Sequence, residues 1–172
     1  YFYQRDCRYR KTTYGARIKI MDYRLEKNFL QFKKELDFNR LSKIMAENNF
    51  QSRVMANYPE NHLLDSIFQI RNIQDEVFFI KMFNQMNTLF NKENRRTTLD
   101  LFFSFARGAR GDNHKDQESV NILGAYGKTM YFINGKEIIL EKGDRLYINK
   151  GVKHRAIGLT PRIILSFGIF DG

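Results

Sequence analysis

The stretch Gly143-Asp144-Arg145-Leu146-Tyr147-Ile148-Asn149-Lys150-Gly151-Val152-Lys153-His154 decides how this chain folds. Gly143 beside Asp144 suits a tight reversal between strands, and Gly151 permits a backbone conformation closed to residues with a Cβ. The stretch ends in one of only three histidines. A second histidine stands forty residues earlier, in Gly108-Ala109-Arg110-Gly111-Asp112-Asn113-His114-Lys115-Asp116. Side chains at i and i+2 of a strand share a face, so His114 and Asp116 can look together into the interior of a barrel, with His154 arriving from a facing strand. Two neutral imidazoles and one carboxylate on one side of a metal, with the other positions open, form the donor set of non-haem Fe(II) sites. The third histidine, His62, lies in Pro59-Glu60-Asn61-His62 away from both stretches and reads as a surface or capping residue.

Working outward, the texture from Thr97 onward is short β-branched and aromatic runs separated by Gly, Asn and Lys. Strands are expected at Thr98–Phe105, Val120–Tyr126, Thr129–Ile133, Glu137–Leu140, Arg145–Ile148, His154–Ile157 and Arg162–Ile169. Asn134-Gly135 between two of them is the strongest short hairpin signal in the chain. Before Thr97 the pattern differs. Residues 1–24 alternate roughly between apolar and charged, as in Ala16 to Tyr23, which fits an edge or pairing strand better than a helix. Leu25, Phe29, Phe32, Leu36, Leu41, Ile44 and Met45 recur at mostly helical spacing, which predicts one or two amphipathic helices within 25–50. Ser66 to Ile70 reads as a short strand. A second helix is expected from Asn72 or Gln74-Asp75 to Phe90, with Val77, Ile80, Phe83, Met86, Leu89 and Phe90 as its apolar stripe. The expected class is therefore mainly β with N-terminal helices (α+β). Residues 1–96 would pack on or cover a core of residues 97–172, in one structural domain.

The chain has 172 residues and a formal net charge of +10. That length allows one domain with a full core, not two ordinary ones. No run of about 18 apolar residues occurs, as a membrane helix needs, and the charged, Tyr-rich start lacks the apolar stretch of a signal peptide. With a single cysteine, Cys7, and so no internal disulfide, a soluble cytoplasmic protein is expected. Arg5, Arg8, Arg10, Lys11, Arg17 and Lys19, interleaved with Tyr1, Tyr3, Tyr9 and Tyr14, form a mixture that could grip phosphates and stack bases, or serve as a solvated basic surface.

The two quoted stretches resemble the two motifs of the cupin superfamily and, within it, the cupin-like, Jumonji C-related oxygenases that depend on Fe(II) and 2-oxoglutarate. The resemblance runs over about Thr97 to Phe170. Gly108, five intervening residues and His114 match the first motif, with Asp116 in place of the usual second histidine. A glutamate that many metal cupins carry slightly later is replaced by Val120 or Asn121. Gly143, Gly151 and His154 match the second motif, where Asn149 stands at a position in which proline is common. The resemblance implies a double-stranded β-helix (cupin or jelly-roll) barrel, with iron held by His114, Asp116 and His154 as metal ligands and catalytic centre.

It further implies a dioxygenase that converts 2-oxoglutarate to succinate and CO₂ while hydroxylating a protein or RNA. A homodimer and no membrane association are expected. The distal carboxylate of 2-oxoglutarate needs a buried cation. Lys128 and Arg162 are the candidates, although Thr129 and not Lys128 falls at the expected strand register. Asn121, Thr129 and Tyr131 are candidates for further hydrogen bonds to the co-substrate. Two other readings keep the barrel: a metal cupin that binds or isomerises a small metabolite without 2-oxoglutarate, and a non-catalytic binding module.

Overall fold

The computed structural model describes residues 2–4, 22–32, 36–47, 54–57, 66–105 and 112–171. Twelve strands and two helices occur among them: β1 (Phe2–Gln4), β2 (Tyr23–Glu26), β3 (Leu30–Phe32), α1 (Phe38–Glu47), β4 (Val54–Asn57), β5 (Ile67–Ile70), α2 (Ile80–Phe90), β6 (Thr97–Ser104), β7 (Ser119–Tyr126), β8 (Lys128–Ile133), β9 (Lys136–Glu141), β10 (Arg145–Ile148), β11 (His154–Gly158) and β12 (Arg162–Ile169). All seven strands expected after Thr97 are present, within two residues of the expected ends. Asn134 (φ 51°) and Gly135 (φ 74°) make the β8–β9 turn, both left-handed as a tight hairpin requires.

Every pairing is antiparallel. One sheet runs β2-β10-β7-β12-β6-β5-β4, another β11-β8-β9, and β1 pairs with β3. His114 adds a two-way backbone bridge to the free side of β11. Taken in chain order, β6, the His114 segment, and β7 to β12 thus fall into two facing sheets, β10-β7-β12-β6 and His114-β11-β8-β9. That alternation of eight segments is the double-stranded β-helix.

Two packed regions flank the large sheet. Alternate residues Leu99, Leu101 and Phe103 of β6, Leu123 and Ala125 of β7, and Ile163, Leu165 and Phe167 of β12 face outward. They are buried under α1 and α2, which contribute Leu41, Ile44, Met82 and Met86. The intervening residues face the barrel, where Val120, Ile122, Leu146, Ile148 and Ile164 meet Tyr131, Ile133, Ile138 and Leu140 of the second sheet. Period-two alternation thus assigns the two faces residue by residue.

The N-terminal half departs from expectation in three places. Residues 23–32 are strands, not helix: Leu25 lies opposite Leu146 in the β2–β10 pair, and the Leu30 amide donates to the Gly143 carbonyl at 2.9 Å. The spacing of Leu25, Phe29 and Phe32 imitates a helix because a turn with Asn28 left-handed (φ 50°) interrupts two short strands. The helix of this region starts only at Phe38, where the Asp37 carboxylate accepts the Arg40 amide at 2.8 Å, as an N-cap does. The second helix begins at Ile80; Ile73–Asp75 form a separate 3-10 turn after left-handed Asn72, and Val77 is exposed. β4, which pairs with β5, was not foreseen. Cys7, His62, Gly108, Arg110 and the basic residues from Arg5 to Lys19 lie outside the described residues, as do residues 5–21 of the expected first strand. Among the described residues no helix is long and apolar enough to cross a membrane.

Candidate metal centre and its cavity

The two sequence stretches meet. Mutual backbone hydrogen bonds of 3.0 Å join His114 and His154, and the Gly151 amide donates to the Asp116 carbonyl, also at 3.0 Å. The imidazoles lie with ring centroids 4.4 Å apart. Asp116 stands between them, Oδ1 at 3.5 Å from His114 Nε2 and Oδ2 at 3.5 Å from His154 Nε2. One donor atom from each of the three residues falls within 4.8 Å of the others.

The donors fit a divalent metal. Metal–ligand bonds of about 2.0–2.2 Å put neighbouring donor atoms roughly 3 Å apart; the two carboxylate–imidazole distances of 3.5 Å are about half an ångström longer, so the three side chains would draw in slightly around an ion. Nδ1 of His114 contacts the Asp112 carbonyl at 2.8 Å, and Nδ1 of His154 the Val152 carbonyl at 3.0 Å. A carbonyl only accepts, so Nδ1 carries the proton in each ring and Nε2 keeps its lone pair for a metal. Burial pulls the His154 pKa below its ordinary value, against the opposing pulls of the Val152 carbonyl and Asp116, with His114 adding to the decrease. The neutral, ligating form is thereby favoured.

The triad opens into a cavity of about 680 Å³ whose walls come from β5, β6, β7, β8, β11 and β12. That volume lies in the range of small-molecule sites. Arg162 is the notable wall residue: it is 1% exposed, and its Nε donates to Ser104 Oγ at 3.2 Å. Burial lowers its pKa, an effect the nearby Tyr131 opposes. Tyr131, 2% exposed, lines the same cavity, and burial raises its phenol pKa well above the ordinary value. Elsewhere in the wall, Asp100 accepts from Gln69 Nε2 at 3.0 Å and from the Asn72 backbone amide at 2.9 Å. The Glu118 carboxyl is pushed upward first by burial and then by the charges of Asp116 and Asp100.

The residues expected around the co-substrate separate into two groups. Arg162 and Tyr131 line the cavity, and Thr129 is buried on the same face of β8 as Tyr131. Lys128 and Asn121 do not join them. Lys128 is exposed and its Nζ pairs with Glu141 at 2.8 Å, because one residue along a strand reverses the face. Asn121 alternates with the barrel-facing Val120 and Ile122, so it points outward, where its Oδ1 accepts from Arg145 Nε at 2.8 Å. Ser104, Asp100, Glu118 and Gln69 were missed by sequence reading. The pairing of Arg162 with Ser104 in the β6–β12 register is the only signal for the first of these, and it is tertiary.

No protein-family model matches this sequence, and no curated protein matches it. Solved structures do resemble it in three dimensions. The ribosomal oxygenase YcfD of Escherichia coli, in complex with cobalt and succinic acid, superposes with a TM-score of 0.68 at 17% identity, over 87% of this chain and 48% of that one. The complex of YcfD with cobalt and 2-oxoglutarate gives 0.68 at 18% identity over the same shares, and a further E. coli ycfD structure gives 0.67 at 16%, over 88% and 50%. This chain spans about half the length of those neighbours. At such identity the likeness is one of fold, and the chain has the double-stranded β-helix fold seen in YcfD.

Proposed function

We propose that this chain is an Fe(II)- and 2-oxoglutarate-dependent oxygenase that hydroxylates a macromolecular component of the ribosome, protein or RNA. The observation that carries the reading is a single cavity with a two-histidine, one-carboxylate donor set in one part of its wall and the buried cation Arg162 beside Tyr131 in another. A keto diacid needs both, one end to chelate a metal and the other to meet a cation. When bound, the iron and the keto acid together supply the activation of O₂ needed to hydroxylate a C–H bond. His114, Asp116 and His154 would take one side of the metal and leave the remaining positions open. The Asp112 and Val152 carbonyls hold the two imidazole rings in their ligating tautomer.

Arg162 would receive the distal carboxylate through a charge-assisted hydrogen bond, strengthened by the burial of the guanidinium. The raised pKa of Tyr131 keeps its hydroxyl protonated and able to donate. Val120, Ile122, Phe102 and Ile164 give part of the cavity wall an apolar lining. The name of the YcfD neighbours, ribosomal oxygenases, and the net charge of +10 both support a partner rich in phosphate.

Anaerobic addition of Fe(II) and 2-oxoglutarate should produce a visible metal-to-ligand charge-transfer band, and aerobic turnover should release succinate in proportion to iron. Metal binding without either signal would overturn the oxygenase reading in favour of a metal cupin that needs no 2-oxoglutarate. Stimulation of succinate release by ribosomes tests the substrate; equal turnover with and without them would remove that part.

A further inference from the structure

The carboxylate ligand Asp116 sits in a stretch with little regular structure: among residues 112–118 only His114 takes part in a strand-like bridge. Something else must hold it. The turn Asn149-Lys150-Gly151-Val152 closes with the Val152 amide on the Asn149 carbonyl at 3.2 Å and Gly151 left-handed at φ 74°. Its Gly151 amide is thereby free to grip the Asp116 carbonyl. The turn is in turn fastened by the Asn149 side chain. Oδ1 of Asn149 accepts from Ser119 Oγ at 3.0 Å, from the Lys150 amide at 3.1 Å and from Tyr147 Oη at 3.2 Å, while the Lys150 amide also reaches Ser119 Oγ at 3.2 Å. The Asn149 amide donates to the Asp22 carbonyl at 2.8 Å, a bond that a proline in this position could not make.

Ser119 is three residues after Asp116, and Asn149 is five before His154. The Asn149 carboxamide therefore ties the chain just after one proposed ligand to the turn leading to another. We infer that Asn149, with Ser119, is a positioning residue for the metal centre: a hydrogen-bonded clasp that sets the distance between Asp116 and His154 without touching the metal. The inference rests on the metal reading above. Outer groups that orient ligands typically change metal affinity by 10- to 100-fold, and this clasp belongs among them. An aliphatic group in place of the carboxamide would also take this acceptor from the Ser119 and Tyr147 hydroxyls and leave the Lys150 amide only its contact with Ser119 Oγ.

Titration with Co(II), read by calorimetry and by its visible d–d absorption, separates this role from bulk stabilisation. Asn149→Ala should weaken Co(II) binding at least tenfold and shift the d–d bands, and Ser119→Ala should do so to a smaller degree. The double variant should fall short of the sum, because both members break one clasp. Gln74→Ala is the control. Gln74 holds the Leu99 amide at 3.0 Å on the helix side, so the control should lower the melting temperature and leave cobalt affinity and spectrum alone. Co(II) affinity within twofold of the parent and an unchanged spectrum in Asn149→Ala would overturn the clasp while leaving the metal reading intact. A parent protein that bound no Co(II) would remove the metal reading itself, and the clasp with it.

Discussion

The two faces of the large sheet carry opposite compositions on the same strands. Along β6 the outward residues are Leu99, Leu101 and Phe103, while the inward ones are Thr98, Asp100, Phe102 and Ser104. Along β12 the outward residues are Ile163, Leu165 and Phe167, and the inward ones Arg162, Ile164 and Ser166. One face is sealed by α1 and α2 and supplies cohesion. The other packs part of its length against the second sheet and for the rest borders a cavity with polar groups. Rigid scaffolding on one face lets the facing side chains keep a chemical arrangement that would be costly in isolation.

Substitutions that exchange the properties of the faces test this division. The largest effect expected is on metal binding: Asp116→Ala should abolish measurable Co(II) or Mn(II) affinity while moving the melting temperature little, because its side chain is a quarter exposed and outside the packed core. Retained affinity in a calorimetric titration would break the triad. Phe167→Ala, on the sealed face, should do the reverse. Its truncation should cost about 3–5 kcal/mol in denaturant unfolding, with the metal affinity of the folded fraction unchanged. A fall in affinity would mean that the two faces are coupled.

Arg162→Leu should raise the 2-oxoglutarate concentration needed for half-maximal succinate release by roughly ten- to a hundredfold. Thermal stability should hold or rise, since the cost of burying the cation disappears. An unchanged requirement would show that the keto acid is anchored elsewhere. Acid should act through His154. Its pKa in the fold is below 6.5, so the native state stays neutral where the unfolded chain takes up a proton. Stability contributed by the neutral ring is full above pH 6.5 and is lost as pH falls through the native pKa; metal affinity should decline over the same window. An affinity that rises on acidification would contradict the neutral-ligand assignment. The smallest effect is reserved for Lys128→Ala, where both unfolding free energy and 2-oxoglutarate requirement should change by less than about 0.5 kcal/mol. A large change would restore Lys128 as a candidate anchor.

The barrel strands were legible in the sequence because turn residues punctuate them: Asn134-Gly135, Gly143 and Gly151 all adopt the left-handed conformations their positions suggested. The helix expected over 25–50 failed at its start. Leu25, Phe29 and Phe32 fit a helical period, yet the exposed edge of β10 recruits Leu25 into a sheet, and tertiary pairing outweighs spacing. Asn121 illustrates another limit. β7 is buried on both faces, so its sequence carries no alternation from which to tell inward from outward, and Asn121, a candidate for a hydrogen bond to the co-substrate, faces Arg145. For Lys128 the one-residue register problem was visible beforehand and resolves in favour of the face occupied by Thr129 and Tyr131.

The sequence by itself brought forward His114, Asp116 and His154 as candidate ligands and marked the strand-rich half that contains them, because donor chemistry and turn conformations are properties of residue types at short range. The tertiary structure alone decided which cation turns inward, that Ser104 meets Arg162, and that Asn149 reaches Ser119 across the site. Each of these depends on sheet register, and register is set by strands far apart in the chain whose mutual alignment no local pattern records.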